Sequence, residues 1–394
     1  MTNDSSVFYS EYIIDGVRQE LTPAQILGEC LADGYVLPEA QTGIVQIVDE
    51  PANPDTGIFH YDLTGCQEYS AAVRQSMDLP AREVPAAYSG AFTRLSIAKC
   101  LIDNIWANGH FSLNEITVDL QWNWNCEPVG NMASFYFSVE AAGQYLYDLG
   151  VRVRKCVLIP SECGNRFSVC RPEVWHETLE ESVSSEDAAV GFQADSEMTD
   201  ILLPSIEKIF GRMCGDSVIP DGKTWLIYIP FDTCSYRLGG SLLTEIFGEN
   251  GDPAPEIRDP DYFIDCYEVV RELVEDGVIL SGVTVADGGL MAASDNFCSK
   301  TGCEINVSGI ESAYSETDKV RILFSEVPGV LVQIRDSDYD YVDSQFLLQD
   351  VAYYPGGQPD LTESSGARIS EGRRPDVLSI LSALLQEQQS EGED

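Results

Sequence analysis

Residues 276–307 read DGVILSGVTVADGGLMAASDNFCSKTGCEINV, and residues 322–334 read ILFSEVPGVLVQI. An apolar strand runs into a glycine pair, Gly288-Gly289, and then into a helix from Leu290 to Phe297. A second strand follows at Cys303–Val307, and a buried strand at Gly329–Ile334 closes the unit. A glycine pair just ahead of a helix lets the backbone approach a ligand and aims the free N–H groups of the first turn at an anion. The pattern is that of a phosphate cradle, although most strand-Gly-Gly-helix junctions in alternating α/β chains are turns and nothing more.

Outward from this unit, helices and strands alternate. Thr22 is placed to cap a helix over Pro23–Ala32. Strands are predicted over Gly43–Asp49 and Ile58–Leu63, joined by the turn-rich Pro51–Gly57. Next come a helix over Phe92–Trp106, a strand over Glu115–Trp124, a helix over Met132–Asp148 and a strand over Val151–Ile159. Glu177–Asp200 is acidic and serine-rich and reads as a long surface loop between domains. A strand at Trp225–Pro230 and helices over Leu242–Phe247 and Tyr262–Glu275 open a second domain. The fold class is therefore α/β (α+β) with two domains. The strand ending at Trp124 puts Leu120, Trp122 and Trp124 on one face, which needs a cover, either a partner's sheet or a helix of the same chain. Gly356–Arg374 reads as a flexible linker. Pro375–Gln388 reads as a helix whose apolar face, Val377, Leu378, Leu381, Leu384 and Leu385, packs back on its own domain or docks a partner.

The 394 residues can bury a large core, and 44% of them are hydrophobic. With 65 acidic against 23 basic residues the formal charge is −42. Such a surface repels nucleic-acid backbones and anionic membranes and attracts basic proteins; it equally serves solubility or high-salt adaptation. The twelve cysteines are scattered among apolar positions without a CxxC pair and read as reduced core thiols. The opening MTNDSSVFYSEY lacks a basic region and an apolar run, and no stretch approaches 18 apolar residues, which predicts a soluble cytoplasmic protein. The histidines, His60, His110 and His176, lack metal-ligand spacing with any cysteine.

The order DGGL, helix, FSE, PGVLVQI resembles the C-terminal domain of the AIR synthase-related (PurM-like) superfamily. More narrowly, it is similar to the second synthetase half of the phosphoribosylformylglycinamidine synthase family, glutamine-dependent ligases of purine biosynthesis. Arg237–Ser241 (RLGGS), Ser96–Gly109 (SIAKCLIDNIWANG) and Val118–Cys126 (VDLQWNWNC) resemble further family segments in the family's order, over about residues 42 to 355. The resemblance implies an extension over residues 1–40, an N-terminal-like domain over 41–200, a C-terminal-like domain over 201–355 and a tail over 356–394. It also implies pairing of N-domains across a shared sheet, hence a homodimer or a complex with a separate first-half ligase subunit.

The family's catalytic positions are altered. Where it holds Mg²⁺ with a Glu and an Asn four residues later, Lys99 and Asp103 stand, a pair better suited to an i,i+4 salt bridge. Its Gly-Lys-Asp-Ser run corresponds to Cys156, Val157, Leu158 and Ile159, and its His-Asp-x-Ser-Asp-Gly-Gly to residues 283–289, of which only Asp287, Gly288 and Gly289 match. No counterpart of the family's glutaminase domain is expected. Asn123, Gly239, Gly240, Asp287, Gly288, Gly289, Ser325 and Glu326 remain as the remnant of a nucleotide or phosphate pocket. No catalytic residue, metal ligand or cofactor is expected, with ATP or ADP and Mg²⁺ entering only if the site is rebuilt. Two functions follow: a non-catalytic or partner-dependent relative of the ligase, or a protein–protein interaction module on a borrowed ligase fold.

Overall fold

The computed structural model describes residues 4–35, 37, 43–52, 61–77, 82–107, 111–171, 212–247, 252–361 and 366–369. In chain order they form strands β1 (Glu11–Ile14) and β2 (Val17–Arg18), helix α1 (Pro23–Gly28), strand β3 (Val45–Val48), helices α2 (Cys66–Met77) and α3 (Ser89–Trp106), strand β4 (Thr117–Trp124), helix α4 (Asn131–Asp148) and strands β5 (Arg152–Pro160) and β6 (Arg166–Cys170). There follow β7 (Thr224–Pro230), α5 (Leu242–Phe247), α6 (Pro260–Glu275), β8 (Ile279–Val285), α7 (Gly289–Phe297) and β9 (Gly302–Ile305). The last elements are α8 (Ser308–Tyr314), α9 (Lys319–Phe324), β10 (Gly329–Arg335), α10 (Tyr339–Leu348), β11 (Tyr354–Gly357), β12 (Pro359–Asp360) and β13 (Ala367–Ile369). The architecture is mixed α+β, as the alternation of patterns predicts.

The sheet β11-β7-β10-β8 is antiparallel throughout, and its strands β7, β10 and β8 are buried on both faces. Successive strand residues point to opposite sides. Ile227 and Ile229 of β7 with Val330, Val332 and Ile334 of β10 therefore enter one core, shared with α3, α4 and α6. Leu226, Tyr228, Leu331, Val283 and Val285 enter a second core with α7 and α9. This two-sided burial explains why these strands read as nearly unbroken apolar runs. The end of α3 reaches the sheet through Trp106, whose Nε1 donates to Thr284 Oγ1 at 2.8 Å. Its ring lies 2.7 Å from where a Cβ on Gly282 would stand, so that position requires glycine.

In the sheet β5-β4-β6, β4 is parallel to β5 and antiparallel to β6. Burial along β4 alternates strictly. Trp122 Nε1 donates to Ser138 Oγ at 2.9 Å and Trp124 Nε1 to Asn131 O at 2.8 Å, both on α4. Phe135 of α4 packs edge-on against both indoles. Of the two covers considered for this face, the chain's own helix is the one present, and a partner's sheet over Trp122 and Trp124 is excluded. Thr117, Asp119, Gln121 and Asn123 form the opposite, half-buried face.

Several expectations are corrected. Thr22 caps the helix as expected, and the structure adds a capping box, with Gln25 N donating to Thr22 Oγ1 and Thr22 N to Gln25 Oε1. It ends at Gly28 instead of Ala32, because the chain there turns to bond β5 through Val153 N to Cys30 O and Ala32 N to Val153 O. Gly356 opens no free linker. Residues 354–361 and 366–369 include three strands, Tyr354 pairing with Tyr228 and Ala367 with Cys303, because the small residues let the backbone lie close to β7 and β9. The remainder of the expected linker and the helix Pro375–Gln388 lie outside the described residues, as do the acidic loop Glu177–Asp200 and most of the turn Pro51–Gly57. The strand expected over Ile58–Leu63 is described only from Tyr61, and Leu63 there opens a 3-10 turn, Leu63–Gly65. Cys298 and Cys303 form a disulfide, against the expectation of reduced thiols throughout; α7 ends at Cys298 and β9 begins just before Cys303, which brings the two Cα atoms within 5.8 Å.

Burial pushes the thiols of Cys30, Cys66 and Cys214 from the usual 9.0 up to about 11. Alkylation of the native protein near pH ~8 is expected to modify exposed Cys163 first and to spare these three, since the thiolate is the nucleophile. Cys298 and Cys303 should react only after reduction, and their labelling without reductant would refute the disulfide. The raised thiol pKa values contribute stability that is full below pH 9.0 and lost as pH rises through 11.

Candidate functional site

Strand β8 delivers the glycine turn to the end of α9. Gly289 has φ +68°, and a Cβ on it would stand 2.7 Å from the carbonyl oxygens of Leu323 and Ser325. Only glycine permits both the backbone conformation and the approach. The approach places Glu326 beneath the start of α7. Its Oε1 accepts from Gly288 N at 2.9 Å and from Leu242 N at 2.8 Å, so the first turns of α7 and α5 converge on one carboxylate. Free N–H groups and the helix dipole both favour an anion at such a point. The anion anticipated for the phosphate cradle is thus supplied by the chain's own side chain.

The loop before α5 is braced around this carboxylate. Gly239 N donates to Pro253 O at 3.0 Å, Leu238 N to Asp252 Oδ2 at 2.9 Å, and Arg237 N to Ser325 Oγ at 3.0 Å. Arg321 of α9 holds the other oxygen of Asp252 at 3.1 Å.

A guanidinium completes the cluster. Arg82 Nη1 lies 2.8 Å from Glu326 Oε2 and 3.2 Å from Asp287 Oδ1, its Nε lies 2.9 Å from Glu245 Oε2, and its Nη2 donates to Gly240 O. It also stacks over Phe92, 5.1 Å from the ring centre. The side chains of Arg82 and Glu326 are 11% and 5% exposed, so the pair is largely removed from water. Burial opposes the charge of Arg82, but Glu326 and Asp287 outweigh it and raise the guanidinium's pKa. Burial raises that of Glu326, with Arg82 working against the shift. The cavity left beside the cluster, lined by Tyr88, Phe92, Gly239, Gly240 and Glu326 among others, measures about 20 Å³. That is room for about one water molecule.

Of the residues singled out in the sequence, Gly240, Asp287, Gly288 and Glu326 join directly in this cluster, and Gly239, Gly289 and Ser325 shape the loops that carry it. Asn123 stands apart, its Oδ1 accepting from Gln121 Nε2 at 2.9 Å on the outward face of β4. Lys99 and Asp103 form the i,i+4 salt bridge, at 2.8 Å. Asp103 beside it raises the Lys99 pKa against the opposing effect of burial, and Asp103 Oδ1 also accepts from Thr284 Oγ1. Cys156 to Ile159 lie within β5, with Cys156 and Leu158 buried. Among the described residues no group of three His, Cys, Asp or Glu side chains is arranged to hold a metal ion, and the three histidines lie outside those residues. Nor is any described helix long and apolar enough to cross a membrane. Sequence reasoning missed Arg82 and Glu245; a lone cation between Pro80 and Pro85 in so acidic a chain was the available signal.

Removing one partner of a buried ion pair leaves the other charge uncompensated, so Arg82→Met is expected to lower stability by about 3–5 kcal/mol, read from the denaturant midpoint. Glu326→Gln keeps an oxygen acceptor for Gly288 N and Leu242 N while removing the charge. The double variant should therefore be more stable than Arg82→Met alone, and a double variant that is less stable would contradict this arrangement.

No protein-family model matches the chain. Among curated proteins, it is 23% identical over 245 residues to the phosphoribosylformylglycinamidine synthase of Homo sapiens, covering 62% of this chain and 16% of that protein. It is 25% identical over 256 residues to the enzyme of the same name from Schizosaccharomyces pombe, covering 64% and 18%. The chain thus spans less than a fifth of the length of these relatives. Among solved structures, phosphoribosylformylglycinamidine synthase II from Thermotoga maritima matches with a TM-score of 0.46 at 12% identity, over 78% of this chain and 41% of that one. The hydrogenase maturation protein HypE of E. coli matches with a TM-score of 0.38 at 11% identity, over 72% and 76%. The sequence similarity bears out the resemblance read from RLGGS and DGGL: the chain resembles the synthetase half of phosphoribosylformylglycinamidine synthase and shares that ligase's ancestry.

Proposed function

We propose that this chain is a non-catalytic, partner-dependent descendant of the purine-biosynthetic ligase, in which the nucleotide–metal site has become a structural ion cluster. The observation that carries the reading is Arg82. A ligase of this kind needs a divalent cation between protein carboxylates and nucleotide phosphates. Here a guanidinium from the chain itself lies between Glu326, Asp287 and Glu245, and the helix N-termini that would face phosphate already hold Glu326. Lys99 adds a second fixed cation at a position corresponding to a family metal ligand. Neither ATP, ADP nor Mg²⁺ is required by this arrangement.

Calorimetric titration of the chain with ATP, with and without Mg²⁺, is expected to give no saturable binding. No Mg²⁺-dependent ADP release is expected with formylglycinamide ribonucleotide and ammonia. Saturable Mg²⁺-dependent nucleotide binding would overturn the reading.

The partner we assign is a second copy of the chain, or a first-half ligase subunit, seated on the outward face of β5-β4-β6. Gln121 and Val157 are register neighbours there, as are Asn123 and Ile159, and all four are half-buried in the single chain. Because α4 already covers the tryptophan face, the outward face is the one left for pairing. Wild-type protein is expected to sediment as a dimer at micromolar concentration, and Ile159→Glu as a monomer with an unchanged far-UV spectrum. A wild-type monomer indistinguishable from the variant would remove the homodimer.

A further inference from the structure

The outward side of α10 is apolar where a helix surface is ordinarily polar. Val342 and Phe346 enter the core, and the opposite arc of the helix carries Asp340, Tyr341, Ser344, Leu347 and Leu348, all exposed. Leu347 is 70% exposed, Leu348 76% and Tyr341 46%. A single exposed leucine is ordinary, but two in succession with a tyrosine on the same side of one helix make a patch, and patches rimmed by polar groups mark contact surfaces. The hydrogen bond from Ala352 N to Tyr262 Oη, at 3.0 Å, ties the loop that leaves α10 to the first turn of α6.

That neighbouring helix supplies the rim. Asp261, Asp265, Glu268, Glu272 and Glu275 recur at helical spacing and form one acidic stripe away from the buried face of α6. Arg271 answers the C-terminal part of the stripe, bonding Glu268 at 2.7 Å and Glu275 at 3.0 Å and lying 3.6 Å from Glu272. The N-terminal part is unanswered. Asp261 and Asp265, like Asp340 on α10, form no ion pair among the described residues, and Arg335 just ahead of α10 is taken up by Asp338 at 3.3 Å. An exposed apolar strip therefore lies beside carboxylates that have no cation.

We infer that α10 and the start of α6 form a docking surface for a cationic amphipathic helix of another protein. The apolar side of such a helix covers Tyr341, Leu347 and Leu348, and its flanking Lys or Arg residues meet Asp261, Asp265 and Asp340. The surface is built from helices and offers no open strand ladder, so ridges packing into grooves favour a helix over an extended segment. Charge decides between occupants. A second copy of this chain, with its formal charge of −42, brings carboxylates against carboxylates, whereas a basic partner is attracted from a distance. Solubility accounts for the acidic stripe but not for two leucines exposed beside it. None of these residues belongs to the face of β5-β4-β6 assigned to pairing, so the two inferences stand or fall separately.

The test uses the full chain and three synthetic peptides of about 18 residues, with binding followed by fluorescence anisotropy at fixed ionic strength. One carries leucine and lysine at helical spacing, the second the same residues in strict alternation, and the third lysine with serine in place of leucine. The first is expected to bind saturably, one per chain, and about tenfold or more tighter than the other two. Leu347→Ser/Leu348→Ser should weaken it about tenfold or more, and Asp261→Asn/Asp265→Asn should weaken it and flatten its salt dependence. All four side chains are exposed, and thermal melts confirm that both variants fold. Asp33→Asn/Glu162→Gln, which removes equal charge beside β5, should leave the affinity unchanged. No saturable binding, equal affinity for the alternating or the serine peptide, unchanged affinity in the folded leucine variant, or equal weakening by the Asp33/Glu162 pair would each overturn the inference. A wild-type oligomer that the leucine variant dissociates would do so too, since it gives the face to a second copy.

Discussion

The carboxylate of Glu326 is the constraint around which the second half of the molecule is arranged. It is buried, it terminates two helices at once, and it faces a guanidinium brought from a segment 244 residues away in sequence. Each partner would be costly to bury alone: a carboxylate without donors, or two helix ends without an acceptor. Together they satisfy one another, and the geometry leaves little latitude for α5, α7 or the loop that carries Arg82. The glycines of the turn serve this arrangement because they allow the carboxylate to come close enough to be shared.

Much of the fold was legible because its signals are local. Within Glu115–Trp124, Leu120, Trp122 and Trp124 announced a strand with one face in need of a cover, and the nearly continuous apolar run at Gly329–Ile334 announced a buried strand. Thr22 ahead of Pro23 marked a helix start to the residue, while its end escaped notice because a long-range bond to β5 determines it. The tryptophan face illustrates the same limit. Periodicity establishes that Trp122 and Trp124 need a cover and says nothing about which element provides it; the indole hydrogen bonds to α4 do. The glycines, Asp287 and Glu326 were found through motif resemblance, whereas Arg82 belongs to no motif and its acceptors lie 158 to 244 residues away.

Composition misled where it stood in for partners. The glycine- and proline-containing stretch after Tyr354 has the make-up of a linker, yet part of it forms sheet edges because β7 and β9 offer open backbone groups there. Scattered cysteines suggested uniform thiols, but a helix end and a strand start five residues apart brought one pair together. In each case the deciding quantity was which groups meet in space, which percentages do not encode.

Ancestral sites that depend on a diffusible ion have a stability tied to supply, since occupancy by a ligand favours the folded state by mass action. The charge of Arg82 stands outside that linkage, since it is held against Glu326, Asp287 and Glu245 by the chain itself. A counter-ion attached to the backbone cannot be diluted, chelated or exchanged, and its effective concentration is set by chain geometry. The charge balance around the glycine turn is accordingly a constitutive part of the fold.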